Sequence, residues 1–175
     1  VAAGVGVKML EENLPSGTPV AWVMPNTAAM LGESMSLYAL GQHATDKHRD
    51  VLQMILRSIG EALECTEEQI HNLTAISGAA PAFLYRVAEV LQETAMGFGL
   101  DERAAQLLVT QMFSGSAKMM QTGTPAATLR DQVTTPGGAT AAGLRVLEER
   151  GLPKMFEDAV HATNARSKEM ASGQK

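Results

Sequence analysis

The apolar positions of this chain change their period once, near residue 45. Ahead of that point they come as short unbroken runs. Val20–Met24 is apolar throughout and predicts a buried strand, closed by Pro25-Asn26-Thr27, and Leu37–Leu40 predicts a further strand. Val1-Ala2-Ala3-Gly4-Val5 looks like the end of a buried strand and the turn after it. Lys8–Leu14 predicts a short helix, stopped by Pro15 and the Ser16-Gly17 turn. This succession is that of the tail of an α/β unit lacking its front half.

From Thr45 the period becomes helical. Leu52, Ile55, Leu56 and Ile59 mark one face of a helix ending near Gly60, and Glu61–Cys65 is a short extended piece. Thr66-Glu67-Glu68-Gln69 is a capping box opening the next helix. Ser77-Gly78-Ala79-Ala80-Pro81 predicts an interruption, with Pro81 as the first residue of a long helix that stops at Gly97 or Gly99. Its apolar positions Phe83, Leu84, Val87, Val90, Leu91 and Ala95 exceed one stripe, so burial on several sides is expected. Asp101 caps a helix lasting to Gly123, in which the small residues Ser114–Ala117 predict a close helix crossing. Thr124 and Pro125 start a short helix to Val133, Ala139–Glu149 is another, and Pro153 opens the last. Both long helices carry more apolar surface than one small core can cover, which predicts an obligate two-fold homodimer.

Composition narrows the function classes. The 175 residues are 45% apolar and 19% charged, enough for a packed core. A net charge of −5 argues against nucleic acid as the main partner. No apolar run approaches the roughly 18 residues of a membrane span, and the start lacks the pattern of a signal peptide, so no membrane partner and a cytoplasmic location are expected. Cys65 is the single cysteine, so no intrachain disulfide can form; it reads as a small buried apolar residue. His43, His48, His71 and His161 show no metal-ligand spacing, and no metal site is expected.

Candidate chemistry concentrates in Asp131-Gln132-Val133-Thr134-Thr135-Pro136-Gly137-Gly138-Ala139-Thr140. Two glycines precede a helix, and hydroxyls flank them at Thr134, Thr135 and Thr140. The first turn of a helix leaves backbone N–H groups without partners, and its dipole favours negative charge there. The loop is therefore suited to a small anion such as a carboxylate. A tight Gly-Gly turn with threonine as a helix cap is the competing reading. Elsewhere the chemistry is thin. Gly4-Val5-Gly6 has Met9 where a dinucleotide fingerprint needs its third glycine. Glu67/Glu68, Asp101/Glu102 and Glu148/Glu149 all sit at helix ends, where solvated or capping roles prevail over paired acid–base chemistry.

Several segments together carry a resemblance: Val23-Met24-Pro25-Asn26-Thr27, Ser77-Gly78-Ala79-Ala80-Pro81-Ala82-Phe83, Leu129 through Thr140, and Gly143-Leu144-Arg145-Val146-Leu147-Glu148. In this order and spacing the chain resembles the Δ1-pyrroline-5-carboxylate reductases over essentially its whole length. The resemblance implies a mainly α fold. Residues 1–42 would be the C-terminal remnant of a Rossmann-like dinucleotide-binding domain, and 43–175 a helical dimerisation and substrate-binding domain. It implies hydride transfer from NADPH or NADH to a cyclic imino acid, giving proline, in homodimers that often assemble into rings of five. The substrate carboxylate would sit on the Gly137-Gly138-Ala139 backbone and the Thr135 hydroxyl. Thr140 would stand beside the ring nitrogen as the catalytic hydroxyl. Ser77, Gly78, Ala79, Ala80 and Pro81 would form the cofactor floor, with Asn26 and Thr27 on the nucleotide-domain side. The glycine-rich phosphate loop of the family is absent, so the chain looks like the C-terminal part of the enzyme and by itself is expected to be inactive.

Two departures stand out. The usual Ser-Gly-Ser-Gly-Pro-Ala-Tyr is here Ser-Gly-Ala-Ala-Pro-Ala-Phe. Ala80 adds a methyl group near the cofactor floor, and Phe83 lacks the phenol. They favour a rival reading, a non-catalytic paralogue acting as a dimeric scaffold or regulator; the intact Thr135–Thr140 loop favours the enzyme.

Overall fold

The structure is a computed structural model that describes residues 5–171. The strand end expected at Val1–Gly4 lies outside the described residues. The elements run α1 (Val7–Asn13), β1 (Ala21–Met24), β2 (Ser34–Leu40), α2 (Asp46–Arg57), β3 (Gly60–Glu64), α3 (Glu67–Thr74), α4 (Ala80–Gly97), α5 (Glu102–Gln121), α6 (Ala126–Gln132), α7 (Ala139–Glu149) and α8 (Leu152–Ala171). A short 3₁₀ turn, Thr27–Leu31, joins β1 to β2. The chain divides into two compact units. One holds the residues up to Pro81 and those from Asp158 onward; the other is Ala82–Glu157.

The first unit is built on a three-stranded mixed sheet in the order β1-β2-β3. β1 runs antiparallel to β2, with Ala21 opposite Leu40, and β3 runs parallel to β2, with Gly60 opposite Ser34. β2 is central and buried along most of its length. It starts three residues earlier than its apolar run announces, because its first turns inward are serines. Ser34 and Ser36 are buried, their hydroxyls 3.4 Å apart, and Ser34 Oγ accepts from Asn26 N at 3.1 Å. Those bonds offset the cost of taking two hydroxyls out of water. Trp22, Leu37, Ala39 and Ile70 form the core, flanked by Val7, Leu10 and Cys65. Burial there pushes the Cys65 thiol up, away from the reactive thiolate.

α2 opens on a capping box that the sequence reading missed: the Thr45 amide donates to Nδ1 of His48 at 3.0 Å. Leu56 is buried and Leu52 and Ile59 half-buried, but Ile55 is 55% exposed. It lies about 100° around the helix from Leu56, at the flank of the expected stripe. A polar chain ties α2 to the sheet. Gln53 Nε2 donates to the Tyr38 hydroxyl at 2.9 Å, and that hydroxyl donates to Glu64 at 3.1 Å. Arg49 Nε donates to the same carboxylate at 2.8 Å and pairs with Asp46 as well. The Arg49 guanidinium holds the Glu64 carboxyl below the usual carboxylate range. β3 lies beyond the boundary expected at 42/43, yet it completes the sheet, and the first compact unit runs on to Pro81.

The capping box at Thr66 forms as read: Thr66 Oγ1 accepts from Gln69 N at 3.1 Å, and Gln69 Oε1 accepts from Thr66 N at 2.9 Å. The expected interruption at Ser77–Pro81 does not occur. α3 passes into α4 through a wide π-helical turn, Ala75–Ala79, whose closing bond runs from Ala80 N to Ala75 O. Pro81 is the second residue of α4, not the start of a separate helix. From α8, Asn164 Nδ2 donates to the Asn72 carbonyl at 3.0 Å and docks the last helix on α3.

In the second unit, Asp101 caps α5 by accepting from Ala104 N at 2.9 Å. Ala105 and Val109 are its buried residues. α4 and α7 have none. The expectation that α4 is buried on several sides is therefore not met by this chain alone, and Leu107 on α5 is 69% exposed. Within this chain alone, a β-carbon built at Gly115 meets nothing within 4 Å, so no described helix crosses closely at Ser114–Ala117. Among the described residues no helix is long and apolar enough to cross a membrane.

Candidate functional site

Two segments singled out by sequence carry the candidate chemistry, one in each unit. In the second unit the Thr-Thr-Pro-Gly-Gly segment is a tight turn set against the start of α7. Gly138 N donates to Thr135 O at 2.9 Å, closing a four-residue turn with Pro136 and Gly137 at its centre. Gly137 has φ +73°. Proline at the second position and a left-handed glycine at the third define a type II turn, which a residue with a β-carbon at Gly137 would strain. Gly138 is needed for a different reason. Its φ is −77°, open to any residue, but a β-carbon there would collide with Thr135 Oγ1 and sit 3.0 Å from the Thr135 carbonyl oxygen.

This turn delivers the chain to α7 with no side chain capping the helix. The first intrahelical bond is Ala142 N to Gly138 O at 3.1 Å. The N–H groups of Ala139, Thr140 and Ala141 therefore point out of the helix end, where the dipole is positive. The hydroxyls of Thr135 and Thr140 make no hydrogen bond among the described residues, and both side chains are exposed. The array fits a carboxylate or another small oxyanion. Two details differ from the sequence reading. Thr134 does not join the array, since its hydroxyl donates to Arg130 O at 2.6 Å and finishes α6. Gly138 contributes shape rather than a donor, because its N–H is already used in the turn. Ala141 N–H was not foreseen; the signal for it is its place in the first helical turn.

In the first unit, Asn26 and Thr27 lie at the end of β1, and Ser77–Pro81 forms the wide turn and the start of α4. The structure brings these two segments together. Asn26 Nδ2 donates to Ser77 O at 2.8 Å, and Asn26 Oδ1 accepts from Ala28 N at 3.1 Å as the cap of the 3₁₀ turn. Thr27 and Gly78 are exposed, and Ala79 and Ala80 half-buried. Among the described residues no group of three or more His, Cys, Asp or Glu could hold a metal ion.

Comparison with known proteins gives the site its context. Residues 67–170 match the family model for pyrroline-5-carboxylate reductase dimerisation. The chain is 37% identical to a pyrroline-5-carboxylate reductase of Corynebacterium melassecola, over 97% of this chain and 63% of that protein. It is 36% identical to the Mycobacterium leprae reductase, over 97% of this chain and 64% of the other. Among solved structures it is similar to a Coxiella burnetii pyrroline-5-carboxylate reductase, with TM-score 0.92 and 31% identity over 97% of this chain and 63% of that one. It is likewise similar to a Plasmodium falciparum pyrroline carboxylate reductase with NADP bound, with TM-score 0.86 and 32% identity over 97% of this chain and 68% of that one. The chain thus spans about three fifths of the length of the curated relatives it matches.

Proposed function

The chain belongs to the pyrroline-5-carboxylate reductase family, and from that premise we propose that it forms the substrate-binding and dimerisation part of an enzyme reducing 1-pyrroline-5-carboxylate to L-proline. The observation that carries this reading is the uncapped start of α7 beside two unbonded threonine hydroxyls. The substrate is a ring imine bearing one carboxylate. That carboxylate is held by the exposed N–H groups at Ala139–Ala141, with Gly137 and Gly138 shaping the approach and the Thr135 hydroxyl adding a donor. Thr140 hydrogen-bonds to the ring nitrogen, which takes a proton from solvent as the C=N carbon takes a hydride. The nicotinamide cofactor, NADPH or NADH, supplies that hydride. Ser77–Pro81 underlies the nicotinamide, and Asn26 and Thr27 border it from the nucleotide-domain side. The sheet of the first unit is the remnant of the dinucleotide-binding domain, and the setting is the cytoplasm.

The test uses the product of the complete open reading frame. Reduced cofactor should be consumed only when 1-pyrroline-5-carboxylate is present, with proline formed in equal amount. A folded, dimeric product with no imine-dependent turnover would instead establish the scaffold reading.

The partner is a second copy of the chain. Phe98 is 87% exposed, α4 and α7 have no buried residue, and an open apolar recess of about 300 Å³ between α5 and α6 is lined by Met119, Met120, Leu129 and Val133. Apolar surface on this scale is not left in water by a stable monomer. Two-fold pairing of the obligate class follows; assembly of such dimers into rings of five is what the family resemblance implies. Sedimentation of the 175-residue chain at micromolar concentration should give a dimer with no dissociation on dilution. A folded monomer in that range would defeat the pairing.

A further inference from the structure

We infer that Asn26 is a positioning residue: it supplies the hydrogen bond that Pro81 cannot make, and so fixes the shape of the Ser77–Pro81 bend. In a regular helix the N–H of residue 81 would donate to the carbonyl of residue 77. Proline has no N–H, and its ring crowds the carbonyl four residues back. The structure resolves both problems together. The wide turn Ala75–Ala79 relieves the crowding, and the freed Ser77 carbonyl accepts instead from Asn26 Nδ2 at 2.8 Å. The other end of the same amide is fixed as well, since Asn26 Oδ1 accepts from Ala28 N and Asn26 N donates to Ser34 Oγ. Every polar group of Asn26 is thus engaged, its backbone carbonyl included, which accepts from Ala29 N at 3.1 Å. The side-chain amide acts as a strut between the end of β1 and the wide turn, across 51 residues of sequence.

The consequence for catalysis rests on the proposed reading, in which this bend underlies the nicotinamide. Asn26 then acts on the cofactor through Ser77 rather than by touching it. The alternative is a direct contact between its amide and the cofactor, and the two make opposite predictions in a double-variant cycle. Asn26→Ser keeps a good cap for the 3₁₀ turn but is too short to reach Ser77 O. Pro81→Ala restores an N–H that can take over that carbonyl.

The first measurement needs no activity. In the 175-residue chain, Asn26→Ser should lower the melting temperature by roughly 4 °C, the scale for one unsatisfied carbonyl in a chain of this size. In the Pro81→Ala background the same change should cost less than half as much. Equal losses in both backgrounds would overturn the strut. The second measurement uses the complete enzyme. Asn26→Ser should raise the KM for reduced cofactor and lower kcat about tenfold, leaving the KM for the imino acid nearly unchanged, and Pro81→Ala should restore most of the loss. A loss that persists in the Pro81→Ala background would assign Asn26 to direct cofactor contact. If the unsubstituted protein shows no turnover, the functional reading fails, while the melting-temperature cycle still decides the strut.

Discussion

Alanine at position 60 is expected to lower the melting temperature by roughly 10 °C or more, or to leave the chain insoluble, on the scale of about 2–4 °C per kcal/mol for domains of this size. Gly60 opens β3 with φ +138°, a conformation that side-chain-bearing residues rarely adopt. That alone costs on the order of 1–3 kcal/mol. Its partner in the parallel ladder is Ser34, and Ser34 N donates to Ile59 O at 2.8 Å just before it. A β-carbon on Gly60 would overlap the backbone nitrogen, carbonyl carbon and oxygen of Ser34. Backbone in the central strand cannot turn aside as a flexible side chain can, so the ladder must open, at a further cost of about 1–3 kcal/mol. Against a typical total stability of roughly 5–15 kcal/mol, that is a large fraction. Gly17 provides the control. It also has positive φ, +85°, but a β-carbon there meets nothing within 4 Å. Gly17→Ala should therefore show the conformational cost without the overlap, about 1 kcal/mol. Thermal melts of the two variants side by side check the argument, and drops of equal size would show that the overlap at Ser34 carries no weight.

Gly60 also shows what local patterns conceal. A glycine after an apolar stripe reads as the end of a helix, which it is, since α2 stops at Arg57. Nothing within a few residues of it reveals that the same glycine starts a strand pressed against Ser34. The features legible in the sequence are those whose physics is local. The capping box at Thr66, the cap at Asp101, the stop at Gly97, and the Thr-Pro-Gly-Gly turn are each completed within three or four residues. Features set by distant partners stayed hidden. Ser34 and Ser36 lay outside the strand expected at Leu37–Leu40, because their inward hydroxyls carry no apolar signal and are satisfied by each other and by Asn26. Pro81 looked like a helix start because its compensation, the Asn26 amide, comes from far away in sequence. The long apolar helices were expected to need more cover than one core, and among the described residues α4 and α7 have no buried residue. At the loop, the tight Gly-Gly turn was readable, whereas the division of labour within it was not: only the fold separates the N–H that closes the turn from those left facing outward.

Loss of the Thr140 hydroxyl in the complete enzyme is expected to lower kcat/KM by about 10- to 100-fold. The estimate follows from the proposed contact: a hydrogen bond to a centre gaining charge contributes roughly 1.5–3 kcal/mol, and each ~1.4 kcal/mol is a factor of ten. Thr140→Val is the informative variant, because it keeps the β-branched shape in the first turn of α7. The structure sharpens the contrast with a purely structural role. The cap position of α7 is Gly138, not Thr140, and the Thr140 hydroxyl has no partner among the described residues. Removing it leaves no group of the chain unsatisfied, so the melting temperature should hardly move while turnover falls. Thr135→Ala should behave differently. Its hydroxyl is assigned to the substrate carboxylate, a contact made alike in ground state and transition state, so KM should rise more than kcat falls. The Thr135 carbonyl that closes the turn is backbone and is kept in the alanine variant, so the melting temperature should change little. The assignment therefore predicts two distinct profiles from two neighbouring threonines. Measuring kcat, KM and melting temperature for both variants tests it, and an unchanged kcat/KM in Thr140→Val would remove that residue from the catalytic step whatever Thr135 shows.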